Sequence, residues 1–295
     1  MSDIIKLTEI SKQYKMFGIE PLSSTFKQGY ITGLIGPNGA GKTTLIKMIM
    51  GITRPDKGEI TIFGQSQSLK EAEIKQRIGF VSDECHYYEH LSIQSMKNII
   101  APFYKKWDDH AFSRLLERFE LLPKMKIRSL SKGMKMKLAL AFALSHQADL
   151  LIMDEPTAGL DPVFRRELLD LLAEIMLDER KSILFSTHIT TDLDRVADYI
   201  AFLHRGRLVF NESKEQIQER YVLVKGPSSL LEAPGVKAAF IGIRKSLVGF
   251  EGLTDRGHEI AAMVGGGAQL SRPALEDIMY FTAKGEKGHA AAAVT

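Results

Sequence analysis

The segment Tyr30 to Gly51, YITGLIGPNGAGKTTLIKMIMG, constrains the fold more than any other part of the chain. A short apolar strand, Ile31 to Ile35, runs into Gly36-Pro37-Asn38-Gly39-Ala40-Gly41-Lys42-Thr43, with Thr44 next, and a helix is predicted to open at about Lys42. The loop has the form G-x-x-x-x-G-K-[ST], between the strand and the helix that give this spacing its meaning. Its glycines let the backbone turn so that successive N–H groups face one anion. The helix N-terminus adds the positive end of its dipole. Lys42 can reach outer phosphates, and the Thr43 hydroxyl can bind Mg²⁺. The expectation is a nucleotide-phosphate site at the edge of an α/β sheet.

A chain of 295 residues allows one large or two smaller domains. Hydrophobic residues make up 44% and charged residues 25%, which is ordinary for a globular protein able to bury a sizeable core. The net charge of +3 is spread along the chain and gives no nucleic-acid footprint. Cys85 is the single cysteine, which excludes a disulfide framework and points to a reducing compartment. The first residues, MSDIIKLTEISKQYK, lack a signal pattern, and no apolar run approaches bilayer length. Any action at a membrane is therefore expected to pass through a partner.

Strands are predicted before the loop at Ile4 to Ile10 and Leu22 to Phe26, and after the first helix at Glu59 to Phe63 and Ile78 to Val81. From about 84 to 148 the periodicity becomes helical, with apolar faces Ile93/Met96/Ile99/Ile100, Phe112/Leu115/Leu116/Phe119 and Leu138 to Leu144. The sheet resumes with Leu150 to Met153, an unbroken apolar run suited to a buried parallel strand. A helix from about Val163 to Met176, strands at Ser182 to Ser186 and Tyr199 to Leu203, and a capping box opening at Ser213 follow. A domain boundary is placed near Tyr221. Beyond it, strands are expected at Tyr221 to Val224, Val236 to Ile243, Leu247 to Phe250 and Ile260 to Val264, with a last helix from about Pro273. This gives an α/β domain over 1–220 with a helical insertion, a small α+β domain over 221–284, and a disordered tail over 285–295.

Asp154 and Glu155 end the buried strand. An acidic residue at the carboxyl end of a parallel strand beside a phosphate loop is placed to hold Mg²⁺, and the next can orient or deprotonate water. His188, in Phe185-Ser186-Thr187-His188, falls at the same sheet edge and is a candidate γ-phosphate contact. Ser131, in Leu130-Ser131-Lys132-Gly133-Met134, either simply caps the densest helix or marks an anion site at its N-terminus. His86 and His90 have helical spacing, but no neighbouring motif completes a metal site. Cys85 has no adjacent base.

These residues resemble the ATP-binding subunits of ABC transporters, over about residues 1–220. GPNGAGKTT resembles the Walker A motif and LLIMDEP the Walker B motif with its glutamate. LSKGM resembles the signature, AGLD (Ala158 to Asp161) the D-loop, and STH the switch histidine, while Tyr14 stands where an aromatic stacks on adenine. The resemblance implies the P-loop ATPase fold of ABC type, ATP and Mg²⁺ as cofactors, and a head-to-tail pair in which Ser131 and Gly133 meet ATP held by the partner. It also implies a transmembrane permease subunit, ATPase activity driving transport, and a place at the cytoplasmic face of the membrane. The style resembles bacterial exporters of drugs or antimicrobial peptides with separate membrane subunits. The alternative is an ABC-type ATPase acting without a membrane subunit, but DNA-repair relatives carry a long coiled coil and translation factors carry two ATPase cores, and neither is present.

Two departures from the family pattern stand out. Asp83 occupies the place of the Q-loop glutamine, where a shorter, negative side chain could still bind Mg²⁺. Lys132 and Met134 replace a glycine and a glutamine of the signature. The C-terminal domain is expected to be regulatory or to serve dimerisation.

Overall fold

A computed structural model describes residues 2–82 and 87–292, with side chains as far as Gly285. Asp83, Cys85 and His86, singled out above, lie outside the described residues. The chain forms two units, 1–211 and 212–295.

The first unit opens with β1 (Asp3–Gln13) and β2 (Gly18–Lys27), which pair antiparallel. Then come β3 (Ile31–Ile35), α1 (Lys42–Ile49), β4 (Lys57–Ile62), β5 (Gln65–Ser66), α2 (Glu71–Lys75) and β6 (Ile78–Val81). Strands β2-β1-β4-β5 make a small antiparallel sheet. Helices α3 (Ile93–Ile100), α4 (Asp109–Arg118) and α5 (Lys132–Leu144) form the expected insertion, each opened by a side-chain cap from Ser92, Asp108 or Ser131. The sheet then resumes with β7 (Leu150–Asp154), α6 (Pro162–Ile175), β8 (Ser182–Thr187), α7 (Thr190–Val196), β9 (Tyr199–His204) and β10 (Arg207–Ser213).

The order of the main sheet is β10-β9-β3-β8-β7-β6. Strands β3, β8 and β7 are adjacent and parallel, with Ile35 opposite Thr187 and Asp154 opposite Ser186. Their carboxyl ends therefore lie level. Every residue of these three strands is buried, which is why they read as continuous apolar runs rather than alternating ones. Helix α7 lies close over β3 because Gly33 has no side chain. A Cβ there would sit 2.5 Å from the Leu193 side chain.

The insertion has an aromatic core, in which Phe142 packs on Phe112 at 5.2 Å and on Tyr87 at 5.3 Å. Beside it, Phe80, Tyr87, Phe103, Tyr104, Phe142 and His146 are among the residues lining an apolar cavity of about 460 Å³. Tyr88 is exposed and does not line it. His146 is buried, stacks on Tyr104, and faces the carbonyls of Phe142 (Nδ1, 3.2 Å) and Ile78 (Nε2, 3.0 Å). Burial pushes its pKa below the ordinary 6.5. In the unfolded chain this imidazole takes up a proton as pH falls through about 6.5, whereas the native one does so only at lower pH. Stability is thus lost on acidification, by up to about 1.4 kcal/mol per unit of pKa depression. Urea midpoints measured from pH 7.5 to 5.5 should fall more steeply for the wild type than for His146→Gln, and equal slopes would exclude this origin.

The second unit holds α8 (Lys214–Arg220), β11 (Val222–Gly226), β12 (Gly242–Ser246), β13 (Gly249–Thr254), α9 (Gly257–Val264), β14 (Gln269–Ser271) and α10 (Leu275–Ala292). Its antiparallel sheet has the order β12-β13-β11-β14. Val224, Leu231, Val236, Phe240, Phe250, Ile260 and Val264 belong to its core.

Four sequence expectations need correction. The unit boundary falls before Glu212, not near Tyr221, so the capping-box helix α8 belongs to the second unit. The run Ile260 to Val264 is helical, with Ile260 and Val264 buried four residues apart and the residues between them exposed. Val236 to Ile243 is not one strand but a short 3₁₀ turn, Lys237–Ala239, before β12. Residues 285–292, expected to belong to a disordered tail, continue α10, in keeping with the helix propensity of the alanines there.

Candidate nucleotide site

The level ends of β3, β8 and β7 bring three sequence motifs into one place. From β3, the loop 36–41 turns into α1, whose N-cap Gly41 has φ 108°, a left-handed value that favours glycine. A Cβ at Gly41 would also lie 2.8 Å from the Phe17 ring. From β7 come Asp154 and Glu155, and from β8 comes His188. Asn38, Gly39, Ala40, Gly41, Lys42, Thr43 and Thr44, with Phe17, Glu155, Ala158 and His188, line a cavity of about 420 Å³.

Lys42 is buried at 6% exposure. Its Nζ donates to the Gly36 carbonyl at 2.8 Å, approaches that of Pro37 at 3.4 Å, and lies 3.1 Å from Glu155 Oε1. Glu155 Oε2 accepts from the His188 backbone N–H at 3.3 Å and is 2.8 Å from His188 Nδ1. One carboxylate thus bridges the lysine of the phosphate loop and the histidine that follows the neighbouring strand β8. Glu155 has φ 49°, uncommon for a residue with a side chain. Such a conformation costs on the order of 1–3 kcal/mol and persists where the surroundings over-determine it. Here its N–H donates to the Ser186 hydroxyl at 2.9 Å, and that hydroxyl donates to Asp154 Oδ1 at 2.6 Å.

Asp154 is buried at the strand end and Thr43 stands on the cavity wall. Among the described residues no group of three or more His, Cys, Asp or Glu side chains could hold a metal ion. One carboxylate and one hydroxyl nevertheless fit Mg²⁺, which takes one or two protein oxygens, substrate phosphate and water.

Not every predicted residue gathers here. Tyr14 is 42% exposed beside the Lys12 ammonium and does not line the cavity; Phe17, three residues on, does. Ser131 and Gly133 are also absent from the lining. The Ser131 hydroxyl caps α5, accepting from the Met134 N–H at 3.2 Å. Ser186 and Phe17 escaped the sequence reading. A serine near the end of the strand that leads to His188 was visible in the motif, but nothing in its spacing named its two bonds.

The sequence profile of the ABC transporter family matches residues 19–158. The chain is 34% identical over 223 residues to the bacitracin transport ATP-binding protein BcrA of Bacillus licheniformis, covering 75% of this chain and 73% of that one. It is 30% identical over 227 residues to the ABC transporter ATP-binding protein NatA of Bacillus subtilis, covering 73% and 92%. A solved ATP-binding subunit of an ABC transporter matches with a TM-score of 0.65 at 28% identity, over 73% of this chain and 92% of that one. A dimeric ATP-binding cassette solved with ADP and Pi shares the fold, with a TM-score of 0.64 at 22% identity over 71% and 98%. The chain belongs to the ABC transporter family, as one of its ATP-binding subunits with ATPase activity.

Proposed function

We propose that this subunit closes head to tail with a second ATP-binding subunit over ATP and Mg²⁺, and that a separate permease turns closure into export of drug-like or antimicrobial-peptide substrates. ABC ATP-binding subunits pair and work with transmembrane permease subunits. Among the described residues no helix is long and apolar enough to cross a membrane. By analogy with the partnership of such subunits with permeases, we place the chain at the cytoplasmic face, held through that subunit. The 460 Å³ apolar cavity, with Tyr87 on its wall, offers a surface for that contact. The peptide-like substrate rests on the similarity to BcrA, a bacitracin transport protein.

The observation that carries the reading is the contact of Lys42, Glu155 and His188 on one cavity wall. In this arrangement the loop amides and Lys42 hold the outer phosphates of ATP. Thr43 and Asp154 would hold Mg²⁺, which would supply charge neutralisation of the phosphates; Asp83, outside the described residues, is proposed as a further ligand. Lys42 leaves Glu155 for the phosphate, and the freed carboxylate orients a water and accepts its proton as the water oxygen bonds to phosphorus and ADP departs. His188 contacts the terminal phosphoryl group. Ser131 and Gly133 serve the site of the partner subunit, in keeping with their absence from this cavity, and Tyr14 stacks on the base. The C-terminal unit, with its own sheet and core, serves regulation or dimerisation.

The test is affinity purification of the tagged chain from detergent-solubilised native membranes. A multi-span membrane protein in stoichiometric amount, and bacitracin-type peptides stimulating ATP hydrolysis by that complex, are expected. Recovery without any membrane partner would favour an ABC-type ATPase that acts alone.

A further inference from the structure

Helices α6 and α7 both begin at the nucleotide cavity. The turn Ala158 to Asp161 leads into α6, and Ala158 lines the cavity. His188 stands two residues before α7 and lines it too. Between the first turns of these helices lies an ion pair whose carboxylate is buried and whose guanidinium is partly exposed. Arg165 Nε donates to Asp192 Oδ1 at 2.6 Å, and Arg165 Nη2 donates to Thr191 Oγ1 at 3.1 Å. The Asp192 side chain is 3% exposed, and among the described residues its Oδ2 has no hydrogen-bond partner.

Three features make this pair more than packing. Each partner is tied by its own backbone to the turn it belongs to: the Arg165 N–H donates to the Asp161 carbonyl at 2.9 Å, and the Asp192 N–H to that of Ile189 at 3.3 Å. Arg165 is a cation in the first turn of a helix, where the dipole disfavours it, so it does not serve α6 itself. A buried carboxylate with one oxygen unsatisfied is a poor source of stability compared with an apolar pair of the same volume. The same helices carry a second pair, Arg195 with Asp170 at 2.6 Å, that is exposed on both sides and farther along the helices. An exposed pair of this kind contributes little; the pair at Asp192 fixes a direction between two turns.

We infer that Arg165 is a positioning residue, which acts through Asp192 and Thr191 to hold the turn bearing His188 in register with the turn at Asp161. The His188 ring is exposed and is otherwise held by its contact with Glu155, so its place over the cavity depends on its turn. Nucleotide binding depends on the phosphate loop, which this pair does not touch. The inference rests on the roles proposed above for Glu155 and His188.

The test is steady-state ATP hydrolysis by the full chain. Arg165→Ala is expected to lower kcat by about tenfold to a hundredfold, the scale of a small misplacement of reacting groups. KM for ATP should stay within about threefold, because ground-state binding is untouched. Arg165→Lys, which keeps the charge but not the contact with Thr191, should fall between. Asp170→Ala, which opens the exposed pair, should change kcat by no more than about twofold. If Arg165→Ala does not fold, the double variant Arg165→Leu/Asp192→Leu removes both charges together and should fold with a low kcat. Wild-type kcat in that double variant, or a rise in KM with kcat unchanged in Arg165→Ala, would overturn the inference. Glu155→Gln in the same assay separates the two levels. Turnover surviving in that variant removes the site assignment itself, whereas its loss beside a normal Arg165→Ala removes only the positioning role.

Discussion

Glu155→Gln is expected to reduce ATP turnover by about a thousandfold while leaving ATP bound as tightly as in the wild type, or more so. The loss follows from chemistry: an amide cannot accept the proton of the attacking water, and a positioned general base contributes about 10²–10⁴-fold. Retention of binding follows from the geometry. Glu155 Oε1 lies 3.1 Å from the Lys42 ammonium, so phosphate must compete with this carboxylate for it. A neutral amide competes less. Single-turnover hydrolysis, with binding of a fluorescent ATP analogue measured in parallel, separates the two effects. Turnover within tenfold of wild type would remove Glu155 from the base role.

Lys42→Ala carries the second large effect, with the opposite split. Charge-assisted hydrogen bonds to a phosphate are worth about 1.5–3 kcal/mol each, so ATP affinity should weaken by about a hundredfold. The replacement also strips Glu155 of its contact with the ammonium and leaves the Gly36 carbonyl without that donor. Equilibrium binding by the fluorescent analogue checks it, and unchanged affinity would remove the phosphate-loop assignment. The pair of variants thus divides binding from chemistry across a single 3.1 Å contact.

The parts of the fold that were legible are those where local pattern and tertiary role agree. The apolar run of β7 read as a buried parallel strand, and the strands β3 and β8 were found from their own apolar runs, whereas their order in the sheet came only with the structure. Ser213 read as a helix cap because capping is a local interaction. The second unit was harder. Ile260 to Val264 is apolar throughout, and only tertiary burial selects Ile260 and Val264 as the inward pair of a helix. At the site, residue types carrying charge were legible by position. Phe17 was not, because its ring is defined by what it touches across the sheet, the bare Cα of Gly41. The pair of Arg165 and Asp192 was equally hidden, since its members are 27 residues apart and each alone reads as a surface charge on an amphipathic helix.

The left-handed backbone at Glu155 also shapes which sequences can drift through this position. Two filters act on it independently. A β-branched residue is excluded by the backbone before any question of catalysis arises, because its Cβ substituents crowd the carbonyl at positive φ. Asparagine, aspartate and glycine meet the backbone requirement but not the reach of the glutamate side chain. A lineage that abandons hydrolysis at this site therefore has narrow exits: loss of the carboxylate toward Asn or Gly suits the backbone, while loss toward Val, Ile or Thr adds a backbone cost on the order of 1–3 kcal/mol to the lost activity.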